Sequence, residues 1–331
     1  LQTLSEVRAG NDQRFQQLCR GMGEQPVPEV AAWREAVRRQ VPAEQVEGVL
    51  ERIDALFARL MTTRMGERCV FKLGRLLTHA ELYTEGSEPG FPRWVAFFEQ
   101  IGNRNALYVL MDAHPPIVAW AAEFFREAGR YAELVIRHPE LLESYFSLGD
   151  GPEAVAEPFR DAVERAPDEE EFLLEMQRAK LHGTVRTLSH YLASAEQDRH
   201  SSLLSAMADE AVTACTRYAW RLMVDRMGTP EGASTDEVQG FSVLAMGRWG
   251  SREMRFASDL DLVFLCGPEG HTSKGRSHTE FYTKVAQKLT ALLTAPTQFG
   301  CLYELDHRLR PFGNKGVLVP SLQAYRNFLE N

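Results

Sequence analysis

Residues 240–265 read GFSVLAMGRWGSREMRFASDLDLVFL, and their reading decides the fold. The run 241–246 is apolar and bounded by glycine, which predicts a buried strand, and 260–265 predicts a second. A loop and a short helix are expected between them. Asp259 and Asp261 stand two apart at the mouth of the second strand, so their side chains leave one face of the backbone. Carboxylates held that close repel one another unless a cation sits between them. Mg²⁺ suits the position because it takes carboxylate oxygens and substrate phosphates together. Gly247, Gly250 and Ser251 fall where the first strand turns into the helix. Backbone N–H groups there can face a triphosphate without side chains in the way.

A third carboxylate is available downstream. In GCLYELDHRLRP, residues 300–311, the stretch 303–309 alternates as a strand and places Asp306 on one face with Glu304 and Arg308. Trp249-Gly250-Ser251, then seven residues, then Asp259-Leu260-Asp261 resembles the signature of the nucleotidyltransferase superfamily related to DNA polymerase β. That superfamily uses a third acidic residue on a neighbouring strand, and the resemblance gives Asp306 this role.

The two segments GRWGSREMRFASDLDLVFL and YELDHRLRPFGNKGVLVPS together are similar to the nucleotidyltransferase module of glutamine synthetase adenylyltransferase/adenylyl-removing enzymes. The family pattern is G-K-L-G-G-x-E-L before S-D-x-D-L, followed later by x-D-x-R-L-R-P-x-G-x-x-G. Glu253, Ser258, Asp259, Asp261, Leu262, Asp306, Arg308, Leu309, Arg310, Pro311, Gly313 and Gly316 match it. Departures include Arg248 for Lys, Trp249 for Leu and Ser251 for Gly, the first exchanging a point charge for a planar fork.

The resemblance implies an α+β fold, a mostly helical N-terminal part followed by a polymerase-β-like domain with a small mixed β-sheet. It implies a helical linker over 1–150 and a nucleotidyltransferase domain over 151–331, with a helical opening at 151–228 and the catalytic sheet at 240–331. Asp259, Asp261 and Asp306 are then catalytic residues that hold two Mg²⁺ ions, with Mn²⁺ as the alternative. Gly247, Arg248, Gly250, Ser251, Ser258, Arg308 and Arg310 line the site of ATP, the AMP donor. The implied acceptor is a tyrosine of glutamine synthetase, and a PII-type signal protein is a further implied partner. In this family one half adds AMP and the other removes it by phosphorolysis. A linker preceding the module places the chain as the adenylylating half, with the removing half as the alternative. A catalytically silent nucleotide- or partner-binding module is the reading from another class.

Bulk properties agree with a globular chain of two domains. The 331 residues are 44% hydrophobic and 25% charged. Cys19, Cys69, Cys215, Cys266 and Cys301 are scattered without a C-x-x-C pair, which argues against a disulfide framework or zinc site and fits a reducing cytoplasm. No apolar run approaches a membrane span. The missing initiator Met and the end at Asn331 suggest a piece of a longer protein. A net charge of −9 argues against a general nucleic-acid binder. Yet 240–331 holds 11 Lys+Arg against 8 Asp+Glu, so the segment with the candidate metal ligands is net basic, as a triphosphate site requires.

Residues 1 to about 228 are helical by pattern. Val46, Val49, Leu50, Ile53, Leu56, Phe57 and Leu60 follow one helical face. Further helices are expected over 94–110, 117–125, 131–146 and 202–223, punctuated by Pro115-Pro116, Pro139 and Gly149-Asp150-Gly151-Pro152. Glu171 and its acidic neighbours suit a helix start, 229–236 reads as a linker, 281–292 as a helix on the sheet, and 317–319 as an edge strand. Arg308 and Arg310 can pair with carboxylates or grip phosphates bidentately, the second being preferred. Trp249 reads as core packing rather than an adenine platform, His307 as facing away from Asp306, and Lys315 as either a solvated loop tip or a phosphate contact.

Overall fold

The computed structural model describes residues 30–78, 82, 90–145, 153–193, 197–297 and 299–330. The chain divides into two compact units with the boundary between Tyr145 and Phe146. Cys19, the 149–152 punctuation and Asn331 lie outside the described residues.

The first unit contains helices α1 (Val30–Gln40), α2 (Ala43–Leu60), α3 (Arg64–Leu76), α4 (Gly90–Ile101), α5 (Asn105–Ala113), α6 (Pro115–Glu127) and α7 (Arg130–Arg137), then a 3₁₀ stretch at Pro139–Tyr145. The seven apolar residues of the α2 stripe are all buried. Two expected helices are interrupted. The run 94–110 breaks at Gly102, whose φ of +55° ends α4. The run 131–146 breaks at His138-Pro139, where proline disfavours a helical conformation for the residue before it.

In the second unit three helices precede the sheet: α8 (Glu153–Arg165), α9 (Glu169–Ala193) and α10 (Gln197–Met227). Asp168 opens α9 by accepting the Glu171 N–H at 2.9 Å, which is what the acidic run is for. Then come β1 (Phe241–Ala245), a one-turn helix α11 (Gly247–Gly250), β2 (Leu260–Cys266), α12 (His278–Thr294), β3 (Leu305–Asp306) and α13 (Leu322–Leu329). Ser277 caps α12 by accepting from the Glu280 N–H at 3.2 Å. The sheet order is β1-β2-β3, with β1 antiparallel and β3 parallel to β2, so the sheet is mixed.

Alternation along the strands splits the side chains between two faces. Phe241, Leu260, Leu262 and Phe264 pack against Trp220 of α10 and Phe281 and Tyr282 of α12 in one core. Each fully buried aromatic there contributes on the order of 2–3 kcal/mol of apolar burial. Val263 and Leu265 face the other way and are covered by Tyr325 of α13.

Three strand expectations need correction. The run 241–246 forms a strand over Phe241–Ala245, but at the sheet edge and buried only at Phe241, with Leu244 37% exposed. The stretch 303–309 pairs only at Leu305 and Asp306. The Asp306 carboxylate captures the Arg308 N–H at 2.8 Å, folding the chain into a turn that competes with the ladder. The stretch 317–319 forms no strand. Its only ladder contact nearby is a bridge between Cys266 and Ser321, because Pro320 has no N–H to donate.

Candidate active site

The parallel register sets Asp261 directly beside Asp306. With Asp259 they form a cluster in which one carboxylate oxygen from each lies within 4.8 Å of the others. The site therefore stands on the sheet face away from the aromatic core. Burial, reinforced by the charges of Asp259 and Asp306, pushes the Asp261 carboxyl above the usual carboxylate range; Arg308 and Arg248 oppose this. Asp306 is held below that range by hydrogen bonds from Arg308. The Arg308 Nε reaches both Asp306 oxygens at 3.0 and 2.8 Å, and its Nη2 reaches Oδ2 at 2.5 Å. Thus the arginine preferred as a phosphate grip rests on the third carboxylate in this structure. Arg310 lies half-buried in the turn that follows.

An all-oxygen set in which a partly buried Asp261 faces the charges of Asp259 and Asp306 is the donor chemistry of a hard divalent cation. The residues present fit such an ion.

The turn after β1 approaches this cluster closely. Gly247 has a φ of +52°, and a Cβ placed there would stand 2.2 Å from Asp261 Oδ2. Only glycine fits, both for its left-handed backbone and for the carboxylate behind it. At Gly250 a Cβ would lie 2.6 Å from the Ala245 carbonyl. The expectation that Gly250 and Ser251 offer backbone N–H groups to an anion is not met. Those groups donate to Met246 and Gly247 at 2.9 and 3.0 Å, closing the α11 turn on itself. Ser258 accepts the Arg255 N–H at 3.1 Å and so closes the loop ahead of β2.

A cleft of about 660 Å³ is lined by Asp198, Ser201 and Ser202 of α10 and by Arg248, Ser251, Arg252, Glu253 and Arg255; none of the three carboxylates lines it, and its link to them is Arg248, whose charge acts on Asp261. Arg252 and Arg255 are absent from the sequence-derived set. Their signal was present as arginines at 248, 252 and 255 around one glycine turn. Arg252 occupies the left-handed region at φ +64°, at a cost of about 1 kcal/mol. Asp209 of α10 holds it there through an ion pair with its Nη1. The second oxygen of Asp209 accepts from Trp249 Nε1 at 2.8 Å. Trp249 is 4% exposed and belongs to the core, as expected. His307 packs against Phe264 on the core side, with ring centroids 5.3 Å apart, opposite to Asp306. Lys315 is solvent-exposed on a 3₁₀ turn at Gly313–Lys315. A second cleft of about 690 Å³, lined by Arg217, Arg221, Val243 and Trp249 among others, likewise contains none of the three carboxylates and does not include Arg248.

No described helix is long and apolar enough to cross a membrane. The four described cysteines are unpaired.

Comparison with known proteins gives a consistent result. The family described as Glutamate-ammonia ligase adenylyltransferase matches residues 121–331, more than half of the chain. Proteins called bifunctional glutamine synthetase adenylyltransferase/adenylyl-removing enzyme are similar over 70% to 96% of the chain. The one from Hahella chejuensis is 31% identical over 72% of this chain and 26% of its own length. The one from Haemophilus ducreyi is also 31% identical, over 72% of this chain and 26% of its own length. That of Pseudomonas aeruginosa is 29% identical over 96% of this chain and 35% of its own length. The chain thus spans about a quarter to a third of the relatives it matches.

Proposed function

Because the chain belongs to the glutamate–ammonia ligase adenylyltransferase family, we propose that it is a nucleotidyltransferase moving AMP from ATP to a tyrosine hydroxyl of glutamine synthetase. The observation that carries this reading is the convergence of Asp259, Asp261 and Asp306 within 4.8 Å, with Arg248 near enough for its charge to act on Asp261. The three carboxylates would hold Mg²⁺, which when bound neutralises phosphate charge and lowers the pKa of an attacking hydroxyl. A cation would relieve Asp261, whose carboxyl is raised by burial and by its acidic neighbours.

Arg248 and Arg255 line the cleft in which the triphosphate would lie, beside Arg252, which Asp209 already pairs; the fixed charge of Arg248 and Arg255 suits the pyrophosphate that leaves. The tyrosine oxygen attacks the α-phosphorus, a P–O bond to it forms, and the bond to the β-phosphate oxygen breaks. Arg308 has two uses in this scheme. While it holds Asp306 the carboxylate stays ionised and weakly basic. Transferred to a phosphate, Arg308 would release Asp306 to accept the tyrosine proton. A covalent enzyme intermediate is not needed. Glutamine synthetase is the protein partner in this reading, a PII-type signal protein a second one, and the cytoplasm the location.

The names of the relatives couple two activities, so removal of AMP by phosphate is the competing reading of the same site. The test is incubation with unmodified glutamine synthetase, α-labelled ATP and Mg²⁺, alongside phosphate and pre-adenylylated synthetase. Label entering the unmodified synthetase supports transfer. Release of ADP from the adenylylated form, with no label gained by the unmodified one, would replace it with the removing activity.

A further inference from the structure

Helix α9 turns a cation inward. Lys180 is half-buried, and its ammonium end donates to the Leu302 carbonyl and lies 3.9 Å from the centroid of the Tyr303 ring. Leu302 and Tyr303 are 1% and 4% exposed. The chain here is fixed from three sides: Tyr303 N–H donates to the Leu293 carbonyl of α12 at 2.8 Å, and the Glu304 carbonyl accepts from Leu260 of β2 at 2.9 Å. Lys180 supplies the third tie, from α9. Two residues beyond Tyr303 the chain enters β3, where Asp306 meets Asp261.

A buried ammonium is retained against a desolvation cost, which an apolar chain of the same reach would avoid. Here the charge is used, once on a carbonyl and once on a ring face.

We propose that Lys180 is a positioning residue for Asp306: by tying Leu302 and Tyr303 to α9, it sets where the third carboxylate stands relative to Asp259 and Asp261. The inference rests on the reading of these carboxylates as a divalent-cation site.

A pH dependence follows. Burial lowers the Lys180 pKa to about 8, with Cys301 beside it acting in the other direction. From α10, Asp209 and Cys215 face the Tyr303 hydroxyl, which burial pushes well above its ordinary value, so Tyr303 stays neutral. No hydrogen-bond partner of that hydroxyl is present among the described residues. When Lys180 loses its proton, the amine keeps a weaker bond to Leu302 and loses its attraction to the ring.

The test measures Mg²⁺ affinity of the whole chain by calorimetry between about pH 7 and about pH 9.5, bracketing the Lys180 transition. It is paired with amide hydrogen exchange over 303–306. Wild type should bind Mg²⁺ several-fold more weakly at the alkaline end. Lys180→Met should bind roughly tenfold more weakly at neutral pH, show no alkaline loss, and exchange faster over 303–306. Lys180→Arg, charged across the whole range, should hold its affinity where wild type loses it. Thermal melts establish that each variant folds; should Lys180→Met fail, the wild-type profile and Lys180→Arg carry the test. Unchanged exchange together with a wild-type pH profile in Lys180→Met overturns the proposal. Absence of Mg²⁺ binding in wild type removes the metal reading instead, and exchange alone then decides the role of Lys180.

Discussion

The two faces of strand β2 carry opposite loads. Leu260, Leu262 and Phe264 point into the core with Trp220, Phe281 and Tyr282, whereas Asp261, one residue away from two of them, points into a cluster of like charges. The core face is apolar along its length, whereas the other buries Val263 and Leu265 under Tyr325 at one end and gathers like charges around Asp261 at the other. The core face thus fixes the strand that brings the carboxylates together, and in the proposed metal-binding reading a cation would relieve their repulsion.

The contrast breaks most completely when the carboxylates lose their charge. Asp261→Asn and Asp259→Asn should each reduce AMP transfer by roughly 10³-fold, measured as label incorporated into glutamine synthetase, with far-UV circular dichroism unchanged. Breaking the other face should unfold the unit instead. Phe264 is 1% exposed, and Phe264→Ala should cost about 3–5 kcal/mol, read from urea unfolding.

Gly247 sits between the faces. Gly247→Ala puts a methyl at an Asp261 oxygen and in a left-handed backbone, so a loss of about 1–2 kcal/mol in stability is expected, with a proportionally larger loss of transfer. The smallest effect has the opposite sign. Asp261→Asn should raise the melting temperature by a few degrees near neutral pH, because it relieves repulsion that the folded state alone imposes. The folded Asp261 carboxyl titrates above its unfolded value, so in that window the native state holds more protons and stability falls as pH rises. The gain from Asp261→Asn therefore fades on acidification through the folded pKa. Asp306, held low by Arg308, works in the reverse sense: its stabilising share is present above the unfolded carboxylate pKa and is lost as pH falls.

Much of this is local chemistry that a sequence displays. The apolar runs flanking the glycine turn, the spacing of Asp259 and Asp261, and the α2 stripe each follow from periodicity alone. Asp306 was legible through its resemblance to a family pattern rather than through strand strength, since β3 is only two residues long. What stayed hidden depends on contacts between distant segments. Asp209 lies 43 residues from Arg252, and Lys180 lies 122 from Leu302. No periodicity marks a helix residue that serves a turn so far along the chain. The Arg308–Asp306 pair was hidden for another reason. Strand alternation puts both on one face, and only the captured N–H of Arg308 shows that the chain turns there instead of continuing.

The most direct test of the central claim is the intact mass of glutamine synthetase subunits after incubation with this chain, ATP and Mg²⁺. The account predicts an increment of one AMP per modified subunit, mapped to a tyrosine by fragmentation and absent with Asp261→Asn. No increment, an increment of a phosphoryl group, or an AMP increment that persists in Asp261→Asn would contradict it.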